Sequence, residues 1–156
     1  MLLAIYLNDH LAGATAAREL ARRAAASNRS SQYGEFLTAL AREIEEDRQS
    51  LLEIMRTLGV GVDRLKQTAG WGAEKLGRLK LNGRLLGYSP LSRVVELEAL
   101  TLGVRGKLAM WLTLKQLEPD EPRLSASDLD ELVRRAEGQL TQLEIRRQRA
   151  TTEAFG

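Results

Sequence analysis

Apolar residues recur every three or four positions through four long stretches of this chain, and a glycine-rich, basic segment divides those stretches two and two. Spacing of that kind gives each of four helices one apolar face. In the first stretch Leu3, Leu7, Ala14, Ala17, Ala21 and Ala24 form the stripe, widened by Tyr6, Ala16 and Leu20. The polar run Ser27 to Ser31 reads as a turn that caps the next helix. In the second, Leu37, Leu40, Ile44, Leu51, Met55 and Leu58 repeat the pattern, and Gly59 is a natural stop. Ser89 and Pro90 supply a cap and a first-turn proline for the third, whose face is Leu91, Val94, Leu97, Thr101, Val104, Leu108 and Trp111. Pro119 and Pro122 confine its end. The fourth starts near Ser125 or Ser127 and carries Leu129, Leu132, Ala136, Leu140 and Leu143. The predicted helices thus cover about 2–26, 31–58, 90–117 and 126–150. The tail from Thr151 has no pattern and is expected to fray.

The connection over 59–89 holds seven of the chain's 13 glycines. It is long enough to run the length of a bundle, so that the third helix starts at the far end. Leu65, Ala69, Ala73, Leu76 and Leu79 predict a short helix within it, with Trp71 available as an anchor. At 156 residues the chain is most simply a single domain with a real core. Its net charge is only +2, from 23 Lys and Arg against 21 Asp and Glu, so no global field draws it to nucleic acid. The absence of cysteine excludes disulfides and thiolate metal sites and fits a reducing, cytoplasmic setting. The apolar start ends at Asn8, Asp9 and His10, too soon for a signal peptide or a membrane span.

Candidate chemistry lies where polar residues interrupt the apolar stripes. His10 falls between Leu7 and Ala14, Asp47 between Ile44 and Leu51, and Glu43 one turn before Asp47. On the third helix Glu98 lies on a seam with Leu91, Val94, Leu108 and Leu112, and Arg105 follows two turns later. Facing helices would gather these five residues into an apolar core, where ionised groups must be paired or must bind a metal. The first reading is a self-neutralised network of His10, Glu43, Asp47, Glu98 and Arg105 that sets helix register. Its alternative is a site for iron, manganese or zinc built from His10, Glu43, Asp47 and Glu98. Arg105 favours the network, because a permanent cation supplies the countercharge and cannot act as a ligand.

Helix lengths, the long crossover and the mid-helix acids resemble the ferritin-like superfamily over about residues 2–150, whose metal-binding members use a Glu on two helices and Glu-x-x-His on the other two. The resemblance implies an all-α four-helix bundle with a long crossover. Glu43 corresponds to the glutamate of the second-helix motif, with Glu46 where the histidine would stand. Glu98 corresponds to the lone glutamate of the third helix, and Glu137 on the fourth is followed three residues later by Leu140. On the first helix Asp9 or His10 stands in for glutamate. No Glu-x-x-His occurs anywhere in the chain.

Around the connection, Arg64, Lys66, Lys75, Arg78, Lys80, Arg84 and Arg93 face only Glu74. A solvated helix face accounts for them, and the alternative is a surface for an acidic protein partner centred on Lys75, Arg78, Lys80 and Arg84. No nucleic-acid motif accompanies them. Ala99, Gly103 and Gly106 form a small-residue face that suits close packing against a bulky neighbour or, alternatively, a homodimer. With no cysteine nucleophile, one histidine and no phosphate-binding loop, hydrolase and nucleotide chemistry have no support. The expectation is a non-enzymatic structural or interaction protein without a cofactor, and the runner-up an atypical metal-handling member of the resembled superfamily.

Overall fold

The computed structural model describes residues 1–65 and 87–156. Among them the chain is all-helical: α1 Leu2–Ser27, α2 Gly34–Thr57, α3 Pro90–Leu117 and α4 Leu129–Phe155, with a short 3-10 turn, Pro122–Ala126, between α3 and α4. The short helix expected within the connection, and the basic surface of Lys75, Arg78, Lys80 and Arg84, fall outside the described residues.

Local chemistry explains most of the boundaries. The α2 C-terminus is a paired cap in which the Gly59 N–H donates to the Arg56 carbonyl and the Val60 N–H to the Met55 carbonyl. Gly59 makes this turn at φ +72, which side chains on Cβ resist. Ser89 caps α3 by accepting from the Ser92 N–H, while the Ser92 side chain accepts from the Ser89 N–H, with Pro90 in the first turn. The fourth helix starts later than Ser125 or Ser127 because Asp128 is the residue that accepts from a backbone N–H, that of Glu131. It also continues to Phe155 instead of fraying at Thr151, and Ala150 is fully buried there.

The second helix begins at Gly34 because Asn28 to Gly34 is taken up by successive turns, with the Ser31 and Gly34 N–H groups bonded to Asn28 and Ser31 carbonyls. A Cβ on Gly34 would lie 2.6 Å from the Asn28 carbonyl oxygen and 2.9 Å from that of Arg29, and both are backbone atoms. Gly34→Ala is therefore expected to cost about 1–3 kcal/mol by overpacking. Gly138→Ala, in an α4 position with open space around it, should instead gain up to about 1 kcal/mol. Urea denaturation of the two variants checks the opposite signs, and a stabilised Gly34 variant would contradict the close approach.

Contacts between helix ends give the topology. Asn28, after α1, accepts from Arg93 at the start of α3, and Arg93 pairs with Glu153 at the end of α4. At the other end Asn8 bonds to Gly61 just after α2, and the Arg123 guanidinium reaches the Leu58 carbonyl. Helices α1 and α4 therefore run one way and α2 and α3 the other, so α2 ends and α3 begins at opposite ends of the bundle. The closest helix pairs are α1–α2, α3–α4 and α1–α3. Leu7, Leu11, Leu37, Leu51, Leu97, Trp111, Leu114 and Leu143 belong to one core shared by all four helices. No described helix is long and apolar enough to cross a membrane.

Candidate functional site

Three buried rows each admit one polar residue at the same level of the bundle. On α2 the buried row is Leu40, Ile44, Asp47, Leu51 and Ile54; on α4 it is Leu132, Ala136, Gln139 and Leu143. On α3, Lys107 lies three residues after Val104 and four before Trp111, in register with both. Asp47 is 3% exposed and Gln139 4%.

Their polar atoms meet between α2, α3 and α4. The Lys107 ammonium donates to Asp47 Oδ2 and to Gln139 Oε1. Gln139 Nε2 donates in turn to Glu43 Oε2 at 2.9 Å and to Asp47 Oδ2 at 3.3 Å. Arg135, the residue before Ala136, brings a guanidinium nitrogen to 2.6 Å from Asp47 Oδ1 and donates to Glu46 Oε2 at 3.0 Å. The 2.6 Å contact is an ion pair without the alignment of a hydrogen bond, since Asp47 Oδ1 has no hydrogen-bond partner. Each Asp47 oxygen thus faces a cation. Burial pulls the Lys107 pKa below its ordinary value, against the upward pull of Asp47. A solvent-facing groove lined by Phe36, Leu40, Glu43, Arg135, Gly138 and Gln139 runs over this cluster between α2 and α4.

Of the five residues expected from the sequence, three lie outside this cluster. Glu43 and Asp47 take part, but Glu98 and Arg105 are exposed on α3. The buried row of α3 is Leu97, Leu100, Val104, Lys107, Trp111 and Leu114, in which only Lys107 is not fully buried. Glu98 and Arg105 each follow a member of that row by one residue, about 100° further round the helix. Leu91 and Leu112, read as their companions on the seam, are each 48% exposed. The countercharge comes from Lys107 and Arg135 instead of Arg105.

His10 is also elsewhere. Leu11, not His10, takes the buried slot on α1, and the half-buried imidazole packs edge-on against Tyr6 at 4.5 Å. The metal set His10, Glu43, Asp47 and Glu98 is therefore not brought together, and no group of three His, Asp or Glu side chains suited to a metal ion occurs among the described residues.

Burial lowers the His10 pKa below 6.5, with Asp9 pulling weakly the other way. Between the lowered value and 6.5 the unfolded chain binds more protons than the folded one, so this group makes stability rise with pH there. Unfolding free energy should accordingly fall as pH drops from 7 through the folded-state pKa, and His10→Gln should flatten that fall. Superimposable profiles for the two proteins would contradict it.

Two further buried polar residues went unread in the sequence, and both brace the long connection. Asn8 donates to the Gly61 carbonyl at 2.9 Å and accepts from the Asp63 N–H at 2.7 Å. Asn28 donates to the Tyr88 hydroxyl and accepts from Arg93 Nε at 2.8 Å. Both sit on or just after α1, one at each end, so the two ends of the connection are tied to opposite ends of one helix. Arg93 also lies over the Tyr33 ring at 4.6 Å.

The chain was compared with protein-family models, curated proteins and solved structures. None of them matches. The side-chain geometry is therefore what a functional reading has to stand on.

Proposed function

We propose that this chain is a non-enzymatic structural or interaction protein: a ferritin-like bundle whose polar core is neutralised by its own cations where metal-binding relatives of that architecture hold ions. One observation carries the reading. Both oxygens of the buried Asp47 carboxylate face cations of this chain, Lys107 and Arg135. The direction of the helices and the long connection between α2 and α3 support the bundle type.

The residues present do not fit a metal pair. A metal would compete with an ammonium and a guanidinium already seated on Asp47, and Gln139 spends both its donor and its acceptor capacity inside the cluster. No imidazole is near. The charges offset one another, three carboxylates (Glu43, Glu46, Asp47) against Lys107, Arg135 and the exposed Arg42, which lies 3.7 Å from Glu46. Such a network gains little net stability over an apolar core but strongly resists loss of a single member, which suits a device that sets helix register.

Elemental analysis tests the proposal. Protein incubated with iron(II), manganese(II) and zinc(II) and then desalted should retain well under one ion per chain. Its melting temperature should not change on adding a chelator. Stoichiometric metal that disappears in Asp47→Ala would overturn the reading in favour of an atypical metal-handling protein.

A further inference from the structure

The seam that carries Glu98 and Arg105 runs along the outside of α3, and that outer face is unusually apolar. Leu91, Glu98, Leu102, Arg105, Ala109 and Leu112 follow one another at spacings of seven, then four, three, four and three, and all six are exposed. Leu102 is 68% exposed and Leu91 and Leu112 48% each. The opposite face of α3 is equally apolar and forms the core, so α3 differs from α2 and α4, whose outer faces are dominated by charges. A helix apolar all round is characteristic of one buried on both sides.

We infer that the outer face of α3 pairs with the same face of a second copy, the two α3 helices running antiparallel about a two-fold axis beside Leu102. Charge complementarity specifies both the occupant and its direction. In the antiparallel arrangement Glu98 of each copy lies opposite Arg105 of the other, and Leu91 lies opposite Leu112, because the two pairs are centred on the same point of the helix. The match occurs twice by symmetry, as a self-complementary interface requires. A parallel pairing would set Glu98 against Glu98 and Arg105 against Arg105, and like charges at such positions disfavour that arrangement.

Both charges are available for this role. Among the described residues neither Glu98 nor Arg105 makes a hydrogen bond or ion pair, and the nearest opposite charges on α4, Arg147 and Glu144, are engaged with each other at 2.8 and 2.9 Å. The seam is distinct from the Ala99, Gly103 and Gly106 face, where Gly103 lies against Ala17 of α1. It also stands apart from the core cluster, so a metal found there would leave this inference untouched.

The test is the mass of the full chain in solution by sedimentation equilibrium across micromolar to several-hundred-micromolar concentrations. The wild type should show a monomer–dimer equilibrium. Glu98→Arg and Arg105→Glu should each weaken the dimer at least ~10-fold, and the doubly exchanged protein should recover most of that loss. Because the chain has no cysteine, Leu102→Cys should yield a disulfide-linked dimer on mild oxidation through the only thiol present. All substituted positions are exposed, and circular dichroism confirms that each variant is folded. A monomer at every concentration would overturn the pairing and leave the face to another partner, and failure of the double exchange to rescue would overturn the antiparallel register.

Discussion

Lys107→Ala lowers the unfolding free energy by about 3–5 kcal/mol, the range for removing one partner of a buried ion pair. Asp47 is 3% exposed, so the carboxylate left behind cannot recover its lost donor from bulk water. Arg135 still faces Oδ1, but its guanidinium is held by Glu46 on the other side and has no reason to swing onto Oδ2. Gln139 loses the donor to its oxygen at the same time. Arg105→Ala, by contrast, touches an exposed side chain and should stay within about 0.5 kcal/mol of wild type. Urea titration of the two variants measures both. Equal losses, or a larger loss for Arg105, would contradict the assignment of the core cation.

Trp111→Ala should cost a similar amount, about 3–5 kcal/mol, for a different reason. The indole is fully buried and lies one turn beyond Lys107 on the same row, so it forms part of the apolar wall beside the ammonium. Truncation opens a cavity in the buried row of α3, and water entering it would also loosen the Lys107–Asp47 contact. Its Nε1 has no hydrogen-bond partner among the described residues. Trp111→Phe consequently removes an unmet donor while keeping most of the apolar volume, and its loss should be much the smaller. Thermal melts of the pair check the order. A Phe variant as damaged as the Ala variant would show that the indole nitrogen has a partner.

The helices were legible in the sequence because their signals are local. Gly59 ends α2 by its own backbone freedom, Ser89 and Pro90 open α3 by capping and fixed φ, and the alternation of three and four along α2 leaves one phase for the buried face. Asp47 was legible for the same reason, as a single interruption in a helix whose other face is charged.

Lys107 was not. The third helix is apolar on two sides, so the sets Leu91, Glu98, Leu102, Arg105, Leu112 and Leu97, Leu100, Val104, Lys107, Trp111 both satisfy a helical period, and periodicity alone cannot choose between them. The tie is broken by the neighbours α1 and α4, which cover the second set, and nothing local to α3 encodes that. Gln139 escaped notice because it carries no charge to draw attention to a core position. Asn8 and Asn28 escaped because their partners are residues of the connection, more than fifty positions away in the chain. Val94, Leu97, Val104 and Trp111 of the expected face are buried, and the outer row that drew Glu98 and Arg105 into the reading is the same row that the self-pairing of α3 would bury.

A double-mutant cycle on Asp47 and Lys107 tests the central claim most directly. Unfolding free energies would be measured for Asp47→Leu, Lys107→Met and the pair together. The single variants should each lose several kcal/mol, and the double variant should lose less than their sum by about 1–3 kcal/mol, since removing both charges leaves neither stranded. Losses that add to within about 0.5 kcal/mol would mean that the two groups do not neutralise each other, and the account of a self-balanced core would be wrong.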